Sequence, residues 1–301
     1  MMNEPVHHAA GHLSQQRLLD VLLDNGGSAS LTVSSNGMPD GKVRAPKKPT
    51  KPRVPRDAVR GIQDLLWKEG LFALGQVGTI ADDAALQEFL RQNLSQNSVE
   101  TRSRYAQSLM RWFFPDGIRG LAGSVWTSYH DQGLAAEVLR YLYLRAEPMV
   151  GATVAEALFP IAENSSVPVS YLTNFLLSRF GQSTPAKSIK RVKLNLRKLD
   201  VLAREKGNRD TLRALAPSAT TFLIVLHHLF AGPEPGAVEF RTLAENPFWK
   251  YLGFKSEDQL RAILKDSVSK GLIAKYVLAD RIESLSFRHT FQAFVTRRLR
   301  A

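Results

Sequence analysis

The chain has 301 residues, of which 44% are hydrophobic and 23% charged, and it contains no cysteine. That composition excludes wholesale disorder, collagen-like repeats, disulfide-stapled miniproteins, thiolate zinc sites and cysteine nucleophiles. Forty Lys and Arg against 28 Asp and Glu give a formal net charge of +12, a balance that points to a polyanionic partner.

The excess is uneven. Residues 1–60 hold nine basic and five acidic groups, 61–150 eight and ten, 151–215 eleven and five, and 216–301 twelve and eight. The basic character therefore belongs to an N-terminal tail and to the second half of the chain. The absence of cysteine suits a reducing cytosol, and residues 1–12 hold no apolar run of the kind that opens a signal peptide, so a cytoplasmic location is expected. The longest uncharged stretch runs from Ala214 to Pro233. Its apolar core, Ala219 to Ala231, is too short for a bilayer of about 30 Å. A buried helix is expected there, with no membrane partner.

In chain order, residues 14–24 read as a short amphipathic helix capped by Ser14 and ended by Asn25-Gly26-Gly27. The chain is then polar and rich in Gly, Ser and Pro to about residue 56. In its last part, KVRAPKKPTKPRVPR, prolines fall at every third position from 46 to 55. They would form one ridge of a polyproline II rod, with Lys47, Lys48, Lys51 and Arg53 on the other two. This segment is either a basic arm that lies along phosphates or a solvated spacer.

Residues 57–164 are expected to form a helical domain. DAVRGIQDLLWKEG, DDAALQEFLRQNL, SVETRSRYAQSLMRWFF and LAAEVLRYLYLRA all space apolar residues three and four apart. Tyr105, Leu109, Trp112 and Phe113 make a core stripe, and Arg102 and Arg104 on the same helix are candidate phosphate contacts.

Residues 165–235 read as a basic helix-turn-helix. VPVSYLTNFLLSRFG is a helix ended by Gly181, QSTP is a turn, and AKSIKRVKLNLRKLDVLAREKG is a second helix. Along it Ile189, Val192, Leu196, Leu199 and Ala203 fall within about 80°. Lys187, Lys190, Arg191, Arg197 and Lys198 take the opposite side, flanked by Lys193, and all six precede the first acid, Asp200. A solvated face usually mixes its signs, so this face is a candidate for DNA or RNA contact.

Residues 236–301 read as a winged-helix-like unit: helix, helix, strand, turn, strand, helix. Ser256 caps its second helix, Gly271 closes it, and a β-hairpin turns near Ala279-Asp280. Lys275, Arg281 and Arg288 are placed on the wing. Its second helix carries mixed charge, so it is the weaker nucleic-acid candidate.

No catalytic constellation survives inspection. Arg288-His-Thr-Phe291 resembles a box of tyrosine recombinases, but the last tyrosine, Tyr276, precedes it and no nucleophile follows. Gly37-Met-Pro-Asp-Gly41-Lys42 is one residue short of a P-loop and lacks its hydroxyl residue. Gly117, Gly120 and Gly123 are spaced for packing or a turn rather than for a dinucleotide. His7, His8 and His12 have no carboxylate cluster beside them, and His227 and His228 point to different sides of a helix. No catalytic residue, cofactor or metal site is assigned.

At Asn93-Leu-Ser-Gln-Asn-Ser98-Val-Glu-Thr101-Arg-Ser-Arg104 the chain resembles the BrxA-type proteins of BREX phage-defence systems. The order that follows is also similar: helices, a polar loop, and a Ser/Thr-rich turn into a basic helix. The resemblance covers residues 60–215. It implies a compact, α-helical, non-enzymatic protein that binds DNA beside other defence proteins. The matching positions Asn93, Ser98, Thr101 and Arg104 suit capping and packing. The Pro-rich arm and the C-terminal winged-helix unit depart from that shorter pattern.

These readings combine into a mainly α chain with a multi-helical domain, helix-turn-helix or winged-helix units and a small C-terminal β-hairpin. The expected function is non-catalytic binding of double-stranded DNA within a bacterial anti-phage defence system. The alternative is a protein–protein assembly adaptor of a defence or transcription complex that uses its winged-helix units. A homo-oligomer is compatible with either.

Overall fold

A computed structural model describes residues 62–207, 209–279 and 282–297. The chain divides into two units, Met1–Pro52 and Arg53–Ala301, and every described residue belongs to the second. The helix expected over residues 14–24 and the basic segment with Lys47, Lys48, Lys51 and Arg53 lie outside the described residues.

The described part is mainly α with two small three-stranded antiparallel sheets. Its first half is a stack of helices: α1 (Trp67–Gln76), α2 (Asp83–Asn93), α3 (Val99–Phe113), α4 (Leu121–Tyr129), α5 (Gln132–Ala146) and α6 (Pro148–Ala152), the last running on into a π-turn at Thr153–Leu158. Local chemistry explains where three of them start. Asp82, Ser98 and Asp131 each accept a hydrogen bond from a backbone N–H of the following first turn, which satisfies a donor the helix cannot. Ser98 thus has the capping role expected of it, and Asn93 donates to the Phe89 carbonyl at 2.8 Å. Of the predicted stripe of α3, Leu109, Trp112 and Phe113 are at 0% exposure and Tyr105 is half-buried. Arg111 on that helix is structural. Its guanidinium and the Trp112 indole both donate to the Glu147 carboxylate, at 2.8 and 2.6 Å.

The second half repeats one topology twice. The π-turn leads into β1 (Ser166–Pro168), α7 (Val169–Phe180), α8 (Ala186–Lys198), β2 (Leu202–Arg204) and β3 (Arg209–Leu212). Then α9 (Ala219–Phe230) leads into β4 (Ala237–Glu239), the short helices α10 (Phe240–Glu245) and α11 (Phe248–Leu252), α12 (Glu257–Ser269), β5 (Lys275–Ala279), β6 (Ile282–Ser286) and α13 (Phe291–Thr296). Both sheets place the first strand beside the third, β1-β3-β2 and β4-β6-β5. Each unit is therefore a strand, a run of helices and a hairpin, with two helices in the first unit and three in the second, and the second ends in a further helix: two winged-helix-like units in tandem. One continuous hydrophobic cluster, from Ile62 to Val295, joins both to the helical stack. Among the described residues no helix is long and apolar enough to cross a membrane; the uncharged segment forms the buried α9.

Two predicted helices are shorter than expected. Residues 62–66 have no regular secondary structure, and the first helix begins only at Trp67. The basic helix stops at Lys198, because Asp200 takes a left-handed conformation (φ 61°) and turns the chain into β2. Ala203 consequently lies in a strand rather than on the helical stripe. The predicted hairpin is present as β5–β6, paired from Lys275↔Ser286 to Ala279↔Ile282. Ser256 makes the full capping box with Gln259.

Two stability predictions follow from packing and burial. A Cβ at Gly123 would run into the Ile118 carbonyl, whereas one at Gly75, also helical, meets nothing within 4 Å. Gly123→Ala should cost about 2–3 kcal/mol and Gly75→Ala should gain about 0.5–1 kcal/mol in urea unfolding. His227 is 1% exposed and stacks on Phe294 at 3.6 Å. Burial lowers its pKa to about 4, against the bond to the Leu223 carbonyl and with the help of His289. The unfolded ring protonates below about 6.5 while the folded ring resists, so stability present above that pH is lost as pH falls. The stability difference between the native protein and His227→Leu should shift by about 3 kcal/mol from pH 7 to pH 4; a pH-independent difference would show that the ring titrates normally.

Candidate nucleic-acid interface

The position of α8 follows from its own sequence. Ile189, Val192, Leu196 and Leu199 are buried as the predicted stripe requires, together with Ser188 and Asn195. Both flanks of the helix are then fastened by polar side chains.

One flank grips residues 62–66. Asn195 donates to the Gln63 carbonyl (2.9 Å) and the Tyr143 hydroxyl (2.6 Å), and accepts from the Leu65 N–H (2.9 Å). Arg191 donates to the Ile62 carbonyl at 2.6 Å and lies 3.3 Å from the Asp64 carboxylate. Lys198 donates to the Leu65 carbonyl at 2.9 Å. Four backbone groups of this segment are thus satisfied by side chains of a helix instead of a neighbouring strand.

The other flank fastens the hairpin and α7. Arg197 makes a two-pronged contact with Asp210 on β3, Nε to Oδ1 at 2.8 Å and Nη2 to Oδ2 at 3.0 Å. Asp210 is wholly buried. Lys193 donates to the Thr173 hydroxyl at 3.2 Å, and burial lowers its pKa, helped by Arg197 and opposed by Asp210.

The six predicted cations therefore divide. Lys193, Arg197 and Lys198 hold the fold. Lys187 and Lys190 are exposed and make no hydrogen bond or ion pair among the described residues. Leu194, at 38% exposure, lies beside them on the outer face. Arg191 has both roles: its guanidinium also borders a cleft of about 320 Å³ lined by Gln63, Asp64, Arg104, Tyr105 and Lys187. Folding thus brings Arg104, predicted from a distant helix, to the same cleft as Lys187 and Arg191. Three cations meet one acid there, and that acid is paired with Arg191.

Arg102 does not join this face. Its guanidinium turns inward and donates to the carbonyls of Arg91 and Gln96, each at 2.7 Å, which closes the α2–α3 connection. A phosphate contact from Arg102 would have to break those bonds.

The β2–β3 hairpin adds cations that the sequence analysis missed. Arg204, Lys206 and Arg209 are exposed on it, around a turn with Gly207 at φ 79°. Its acid Glu205 is engaged by the Thr211 and Ser166 hydroxyls, which hold its carboxyl below the usual range, with help from Arg209. The Lys206-Gly-Asn turn signal between two short runs that include Leu202 and Leu212 was the available clue.

The second unit differs. On α12, Arg261 is surrounded by Glu257, Asp258 and Glu283, all within 3.1 Å. The Arg288-His-Thr-Phe291 box serves as a helix start: Thr290 caps α13, and His289 meets Arg297 at 2.8 Å.

No protein-family model matches the chain, and no curated protein matches it. Among solved structures the chain is similar to magnesium ion-bound SspB at 14% identity, over 77% of this chain and 83% of that one, with a TM-score of 0.49. That likeness is too distant to carry an argument.

The division of the cations is testable by stability alone. Arg197→Ala strips a buried carboxylate of its partner and should cost about 2–3 kcal/mol in urea unfolding, the low end because the guanidinium reaches solvent. Lys187→Ala with Lys190→Ala should stay within about 0.5 kcal/mol of the native protein. Equal costs would mean that the two groups are not separated in this way.

Proposed function

We propose that this chain is a non-catalytic, cytoplasmic DNA-binding component of a bacterial anti-phage defence system, and that it engages duplex phosphates through the outer face of α8. The observation that carries the reading is the pair of exposed lysines, Lys187 and Lys190, which have no partner among the described residues, on the second helix of a helix-turn-helix, beside Arg104 and Arg191. In such units the second helix lies in the major groove and neighbouring elements track the backbone. Lys187 and Lys190 neutralise phosphates, and Arg104 and Arg191 take a phosphate at the cleft. Arg204, Lys206 and Arg209 meet the backbone from the hairpin. Contacts of this kind position the protein without reading sequence. The defence setting and the company of other defence proteins rest on the resemblance of residues 93–104. The basic arm with Lys47, Lys48, Lys51 and Arg53 enters on its sequence alone, as added reach.

Binding of this kind is driven by counterion release. With about five phosphates engaged, log K should fall with log salt at a slope near −4.5, a roughly 500-fold loss between 50 and 200 mM salt. Lys187→Ala with Lys190→Ala should weaken duplex binding and flatten the slope by about 1.8, as read by fluorescence anisotropy. Undiminished binding in that variant would remove α8 from the account. Equal affinity for duplex, single-stranded DNA and RNA would remove the major-groove geometry.

A further inference from the structure

The second winged unit has the strand order of the first and, although residues 216–301 are basic overall, carries a groove of the opposite sign. Between α10, α12 and the β5–β6 hairpin runs a groove of about 590 Å³. Among the described residues its titratable lining is Glu239, Glu245, Glu257 and Glu283 against Arg241 and Arg261. Arg261 is fixed in the floor, over the Phe240 ring at 4.4 Å and bonded to Glu257 and Glu283. Arg241 is answered by Glu245 at 2.8 Å. The remaining charge is negative, and Asp258, 91% exposed, adds to it nearby. In a chain of net charge +12 this is a local reversal. Duplex phosphates would be repelled from it.

The groove is also apolar at one end. Leu278 is 69% exposed and Ile282 53%, and both line it from the hairpin. Neither contributes to the hydrophobic cluster of the fold, and each loses free energy by facing water. An acidic rim beside exposed aliphatic side chains is complementary to a segment that carries cations and aliphatic groups together.

We infer that this groove docks a basic, aliphatic-bearing segment of a partner protein, so that the two winged units divide the work: one faces nucleic acid and the other a protein. The charge of the lining argues for such a segment over an acidic one, and the outward aliphatics argue against a purely electrostatic contact.

The test uses the full chain and two fluorescein-labelled peptides of equal length, one alternating Lys and Leu and one alternating Glu and Leu, followed by anisotropy. The Lys/Leu peptide should bind about tenfold tighter or better, against the overall charge of the chain. Leu278→Ser with Ile282→Ser should weaken it about tenfold, and so should Glu239→Lys with Glu245→Lys. All four positions are exposed, and an unchanged helical circular-dichroism signal and urea midpoint in both variants show that they fold; this control does not depend on the DNA reading, so the two outcomes stay separate. Equal binding of the two peptides, no binding of either, or binding unchanged in both variants would overturn the inference. A native protein that sediments as a dimer and becomes monomeric with Leu278→Ser and Ile282→Ser would overturn it too, by giving the groove to a second copy.

Discussion

Asn195 is at 0% exposure, and its side chain completes three hydrogen bonds that join α8, the irregular segment 62–66 and Tyr143 on α5. A buried amide with its capacity largely used is worth keeping, because each partner would be left unsatisfied without it. On the same flank, Arg191 and Lys198 fasten the ends of that segment. On the other flank, Arg197 fastens the hairpin through Asp210. With both flanks engaged, α8 has one face left for solvent, and Lys187, Lys190 and Leu194 occupy it. The protein's own bonds thus decide which cations are available.

The duplication has a consequence for how charge is used. A winged helix is a small frame that orients its second helix and its hairpin, and the frame does not by itself determine what they meet. In the first unit the acids are few and engaged: Asp210 by Arg197, Glu205 by two hydroxyls and Asp200 by Arg213 at 3.2 Å. In the second, the acids outnumber and surround Arg261. From one strand order the first unit presents exposed lysines on its second helix, and the second, basic overall, presents an acidic groove.

What could be read from the sequence was local. Ser98 and Ser256 are caps because the side chain, the donor and the helix start lie within four residues. Ile189, Val192 and Leu196 are core because a 3.6-residue period needs no knowledge of the partner surface. The division among the six cations was not legible, since Arg191 and Lys198 find carbonyls more than 120 residues away. Arg197 was closer to legibility, with Asp210 thirteen residues on. It was missed because the segment between them was read as helix; with the hairpin recognised, an acid on the facing strand becomes the expected partner. The strands β1 to β3 are three or four residues long, too short for an alternation signal. Their absence from the reading hid the first wing and, with it, the tandem repeat.

The central claim is that the outer face of α8, and not the groove of the second unit, meets duplex DNA. The most direct test places a photocrosslinking amino acid at position 194, amid Lys187 and Lys190, and in a second protein at position 278. Each is irradiated with a short duplex at about 100 mM salt, where phosphate contacts persist. The account predicts a protein–DNA adduct from position 194 and none from position 278. An adduct from 278 with none from 194 would contradict it.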